Sequence, residues 1–94
     1  MNANLTGLAL ITGESKPGIE AEILQTLSPF TIEILDKQSM DIRDRYFLAI
    51  YFKLDKAHAK AIESDLNECA LKLGVDLVVD YKWTDSSSLT LIQL

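Results

Sequence analysis

The chain is short of most residues from which active sites are built. Cys69 is its one cysteine among 94 residues, so no internal disulfide can form and a reducing compartment is implied. His58 is its one histidine, and one His with one Cys at unrelated spacing does not make a metal site. Any Ser-His-Asp or Cys-His arrangement has to use His58, whose place in the first turn of an expected helix points to solvent. Nine basic residues against fourteen acidic ones leave a formal charge of -5, and the basic residues form no run. That argues against nucleic acid as a general partner, because phosphate binding needs a basic surface. No apolar run approaches the roughly 20 residues of a membrane span. Met1 to Thr6 lack a basic region followed by a long apolar core, so no secretory signal is expected and the cytoplasm is the default. There is no Walker-type phosphate loop and no dinucleotide fingerprint. The aspartates at 41, 44, 76, 80 and 85 are spread over turns and alternating strand positions, where pairing any two as acid and base is arbitrary. The reading is of a chain with no catalytic residue, no metal and no cofactor, not an enzyme by itself.

What is present is the balance of an ordinary globule, 48% apolar and 24% charged, with length for one modest core. Around one stretch the rest is arranged: Gly13, Glu14, Ser15, Lys16, Pro17 and Gly18, between an apolar strand and an amphipathic helix. Leu5 to Thr12 read as the strand, with Leu8, Leu10 and Thr12 on one face and Gly7, Ala9 and Ile11 on the other. Pro17 suits a first helical position, and Ile19, Ile23, Leu24 and Leu27 share one side of a helix ending before Pro29. Such a turn gathers free helix N–H groups at one spot, which can hold an anion or simply join two elements.

From Thr31 to Ile42 the period becomes two: Ile32, Ile34, Gln38, Met40 and Ile42 share a face, interrupted at Asp36. A polar turn follows, then Tyr46 to Phe52, apolar on both faces and therefore expected inside the sheet. Asp55 reads as a helix cap, ahead of a helix carrying Ala57, Ala61, Ile62, Leu66, Cys69, Ala70 and Leu73, with Gly74 ending it. Cys69 thus reads as a buried structural thiol. Val75 to Tyr81 is the last strand, so one domain over 1–81 and a tail or linker over 82–94 are expected. The order strand, helix, strand, strand, helix, strand predicts an α+β fold: the ferredoxin-like βαββαβ arrangement, a four-stranded antiparallel sheet with both helices on one face. The helices cover one face only, yet the third strand offers Tyr46, Leu48, Ile50 and Phe52 to one side and Phe47, Ala49 and Tyr51 to the other. An uncovered apolar face or an unpaired edge is a hazard that self-association removes.

With its turn and element order, the chain resembles the ACT domain, a small amino-acid-binding regulatory module. The stretch from Ile32 to Ser39, then Ile42 to Arg45 and Leu73 to Val79, is most similar to the N-terminal ACT region of bacterial phosphoserine phosphatases. The resemblance implies a small ligand, serine or glycine-like, at the junction of two ACT units paired edge to edge as a homodimer. Carried over by position, the ligand loop is Gly13, Glu14, Ser15, Lys16, Pro17, Gly18 and Ile19, with Glu33 and Leu35 contributed by the neighbouring unit. It also implies a catalytic phosphatase domain attached or in partnership, of which nothing here shows the Asp-x-Asp-x-Thr motif. Many members carry Asp or Asn two places before the proline, where this chain has Ser15, a hydroxyl that cannot pair ionically with a ligand amine. Two alternatives stay open: an ACT unit that only drives oligomerisation, and a stand-alone regulator of the repressor or deformylase-associated kind.

Overall fold

The computed structural model describes residues 4–83. Strand β1 (Asn4–Glu14) leads to helix α1 (Ile19–Leu27), then strands β2 (Ile32–Ile42) and β3 (Arg45–Asp55). A 3₁₀ turn (Lys56–His58) opens helix α2 (Ala59–Leu73), and β4 (Asp76–Trp83) closes the order. The sheet runs β2-β3-β1-β4 with all neighbours antiparallel, so β1 and β3 are interior and β2 and β4 are edges. This is the expected ferredoxin-like arrangement. Most of the expected tail, from residue 84 onward, lies outside the described residues.

The core lies where alternation placed it. On β1 Leu5, Ala9 and Ile11 are buried, and on β3 Leu48, Ile50, Phe52 and Leu54. Helix α1 presses Ile19, Ile23 and Leu27 onto them, and α2 presses Ile62, Leu66, Cys69 and Ala70. Cys69 is buried, as its place in the apolar pattern indicates. Ala57 and Ala61, counted with that stripe from sequence, are exposed instead. Ala61 stands one residue before Ile62, about 100° round α2 and so off the buried stripe, and Ala57 lies in the 3₁₀ turn before α2 begins. Asp55 does cap this start, its carboxylate accepting the Ala57 N–H at 3.0 Å. His58 is not a solvent-facing residue; it is half-buried, its ring 6.2 Å from that of Phe30.

Strand β2 departs most from the sequence reading. Its pairing with β3 slips between Ile34 and Asp36, leaving Leu35 as the extra residue of a bulge. Ile34 lies opposite Phe52 on the helix side, whereas Gln38 and Met40 lie opposite Ala49 and Phe47 on the open side. The expected common face of Ile32, Ile34, Gln38, Met40 and Ile42 is therefore two faces. A single inserted residue inverts every later side chain, because the strand period is two. After the bulge it is Lys37, Ser39 and Asp41 that turn toward the helices, opposite Ile50, Leu48 and Tyr46. The interruption at Asp36 was the trace of this inversion.

Candidate functional site

The β1–α1 turn sits at the end of the sheet where the β2–β3 hairpin and the C-terminus of α2 also arrive. Its two glycines serve different needs. A Cβ on Gly13 would lie 2.7 Å from Val75 Cγ1, so glycine here lets the α2–β4 connection pack against β1. Gly18 has φ of 89° with nothing near its missing Cβ, so it is the left-handed conformation that selects glycine. Pro17 falls in the turn and not at the first helical position, because α1 begins only at Ile19.

No side chain caps the start of α1, and the first helical bond in the turn runs from Glu22 N–H to the Gly18 carbonyl. The N–H groups of Ile19, Glu20 and Ala21 precede that bond, the set a helix start leaves to other partners. Three contacts fix the turn. The Ser15 N–H donates to the Asp44 carbonyl at 2.8 Å, and the Ser15 hydroxyl donates to Asp41 Oδ1 at 2.8 Å. The Lys16 ammonium donates to the Leu73 carbonyl at 3.1 Å, a cation at the negative end of α2. The turn is thereby tied to both neighbouring elements.

Beside it opens a shallow depression of about 410 Å³, lined by Lys16, Gly18, Ile19, Glu20, Ala21, Leu24 and Tyr46. Glu20 is held from two sides, by an ion pair with Lys37 and by the Tyr46 hydroxyl, which donates to it at 3.5 Å. Burial, and then the charge of Glu20, push the Tyr46 phenol above its usual value. The depression thus offers one cation, one carboxylate and a phenol around an apolar floor.

Of the nine residues singled out from sequence, Lys16, Gly18 and Ile19 line this depression. Ser15 and Pro17 belong to the same turn, Gly13 is buried beneath Val75, and Glu14 lies opposite Arg45 on the open side of the sheet. Glu33 and Leu35 are not brought to the turn within one chain. Glu33 shares a row with Lys53 and Thr6, whereas the turn starts at Gly13, seven residues further along β1. At about 3.3 Å per residue that is more than 20 Å. Sequence reading missed Asp41, Glu20, Lys37 and Tyr46, all of which converge here; the break in alternation at Asp36 was a signal for two of them, Lys37 and Asp41, which follow it on β2.

The comparisons with known proteins agree with the fold. The sequence profile of the ACT domain matches residues 8–80. The chain belongs to the ACT-domain family. Phosphoserine phosphatase SerB2 of Mycobacterium tuberculosis is 26% identical over 82 residues, which are 85% of this chain and 20% of the phosphatase. An ACT domain protein from Streptococcus pneumoniae superposes with a TM-score of 0.72 at 13% identity, over 82% of this chain and 89% of that one. A formyltetrahydrofolate deformylase from Pseudomonas putida gives 0.68 at 18% identity, over 80% of this chain and 28% of the deformylase. This ACT domain therefore spans about a fifth of the phosphatase and little more than a quarter of the deformylase. No helix among the described residues is long and apolar enough to cross a membrane.

Proposed function

We propose that this ACT domain is an amino-acid-sensing regulatory module whose ligand, a small α-amino acid of the serine or glycine class, binds at the β1–α1 turn. The observation that carries the reading is the open helix start at Gly18–Ala21, uncapped by any side chain and flanked by Lys16 and Glu20. A zwitterion has a carboxylate for free N–H groups and a cation, and an ammonium for a carboxylate. Asp41, held against Ser15, supplies beside the turn the acid that Ser15 itself lacks. A second copy, paired through the β2 edge, brings its own Glu33 and Leu35 to close the site. Ligand then favours one arrangement of the pair and biases an attached or partner domain by linkage. The similarity to phosphoserine phosphatase supports a catalytic partner in serine metabolism, with this chain as its regulatory part.

Calorimetry with L-serine, glycine and other small amino acids is the direct test. Saturable binding of serine or glycine is expected, and silence from all of them at millimolar concentration sinks the sensing role. A second reading has an observation in its favour: the Ser15 hydroxyl and the Lys16 ammonium are already satisfied within the chain. That suits an ACT unit serving assembly alone, which requires a pair that persists without ligand together with no binding.

A further inference from the structure

We propose that the open face of the sheet is a second self-association surface, on which a second copy packs face to face about a twofold axis parallel to the strands between β1 and β3. The inference is independent of the ligand reading. Neither helix covers this face, and its middle is apolar: Leu10 is 41% exposed, Met40 55% and Val78 60%, with Phe47 and Tyr51 beside them. Its contour is not flat. Depressions of about 380 and 170 Å³ both reach Ala49, the smallest side chain of the central rows.

Register fixes what each residue meets. Four rows cross this face from β2 to β4, and a fifth stops at β1. The outermost holds Glu33, Lys53, Thr6 and Lys82; the next holds Asp36, Tyr51, Leu8 and Asp80. The central row is Gln38, Ala49, Leu10 and Val78. The last complete row ends on Asp76, and beyond it Arg45 lies opposite Glu14. A twofold axis parallel to the strands keeps the rows and exchanges β1 with β3 and β2 with β4. It sets the partner's Leu10 over Ala49, a knob over the hollow, and repeats this in reverse. Tyr51 meets the partner's Leu8.

At the rim Glu33 meets the partner's Lys82, and Arg45 the partner's Glu14. One like pair opposes them, Asp36 against the partner's Asp80. An axis across the strands instead sets Lys53 over Arg45 and Asp80 over Asp76, with no attractive pair. Charge complementarity therefore selects the first packing. Packed sheets stand about 10 Å apart and turn by about 30°, so the long Glu and Lys side chains are the ones suited to bridging at the corners.

Glu33 and Lys82 sit on opposite edges of one sheet, so only a contact between copies brings them together. That makes charge reversal decisive. The mass of the 94-residue chain is measured by light scattering at high micromolar concentration and low salt, with circular dichroism confirming each fold. Wild type is expected as a multiple of two, and Leu10→Lys, Glu33→Lys and Lys82→Glu each halve that mass. Mixing the Glu33→Lys and Lys82→Glu chains restores it, and Asp80→Asn strengthens association several-fold. A pair formed only through the β2 edge involves neither Leu10 nor Lys82. Unchanged mass in the folded Leu10→Lys and Lys82→Glu chains overturns the proposal, as does a mixture that fails to reassociate. A wild-type monomer also overturns it, and open-ended growth assigns the Glu33–Lys82 contact to edge-to-edge stacking instead.

Discussion

The two faces of the sheet are built from the same strands and differ in everything but hydrophobicity. The helix-covered face packs Ile11, Ile50 and Phe52 at full burial, and the described residues leave no polar side chain buried among them. The open face repeats the apolar centre but rings it with charge and leaves it half in water. Burial at roughly 25 cal/mol per Å² makes the first face the source of the fold's stability. The second adds little to a single copy, and the proposed face-to-face pair would account for its composition. The lesson is that alternation reports which residues point together, whereas which of the two apolar faces the helices cover is settled only by the fold.

The comparison breaks most sharply at neighbouring residues of β3. Phe52→Ala on the covered face should cost about 3–5 kcal/mol, whereas Tyr51→Ala on the open face should stay within about 1 kcal/mol for the single copy. Urea unfolding at low protein concentration reads both, and equal losses would erase the distinction between the faces. Next come the two glycines of the turn. Gly13→Ala pushes a methyl into Val75 and should cost about 1–3 kcal/mol, with Gly18→Ala lower, at about 1–2 kcal/mol, from its positive φ alone. A truncation of Val75 to alanine should relieve the first and leave the second untouched, as a double-mutant cycle would show.

Smaller still is the tie between turn and hairpin. Ser15→Ala removes an exposed hydrogen bond to a carboxylate and should cost about 1 kcal/mol or less, measured by thermal melting. The mildest effect is on alkaline stability. Burial and the nearby Glu20 raise the Tyr46 phenol, and burial and Glu63 raise Tyr81, above the ordinary value of 10.0. Groups raised on folding contribute fully below their unfolded value and lose that contribution as pH climbs through the folded one. Stability should therefore be level in this respect up to about pH 10 and decline above it, less steeply in Tyr46→Phe.

Much of this was legible in the residues themselves. Leu8, Leu10 and Thr12 against Gly7, Ala9 and Ile11 announced the two faces of β1, and Gly74 announced the end of α2 with φ of 71°. The turn at Gly13 to Gly18 was visible as punctuation. The break in alternation at Asp36 marked where β2 changes but not how, since the bulge at Leu35 is a matter of pairing with β3 and no local residue demands it. From that one displaced residue follow the helix-side placement of Lys37, Ser39 and Asp41 and the open-side placement of Met40. The candidate site was accordingly half visible: its backbone half sits in one contiguous stretch, and its charged half converges from α1, β2 and β3 only when the chain is folded.

The most direct test of the sensing role is an amide NMR titration of the 94-residue chain with L-serine. The account predicts shifts concentrated at Ser15, Gly18, Ile19 and Glu20 and along β2, with Leu10 and Ala49 at the centre of the open face unmoved. A spectrum that does not change at saturating serine, or one whose shifts centre on Leu10 and Ala49, would contradict it.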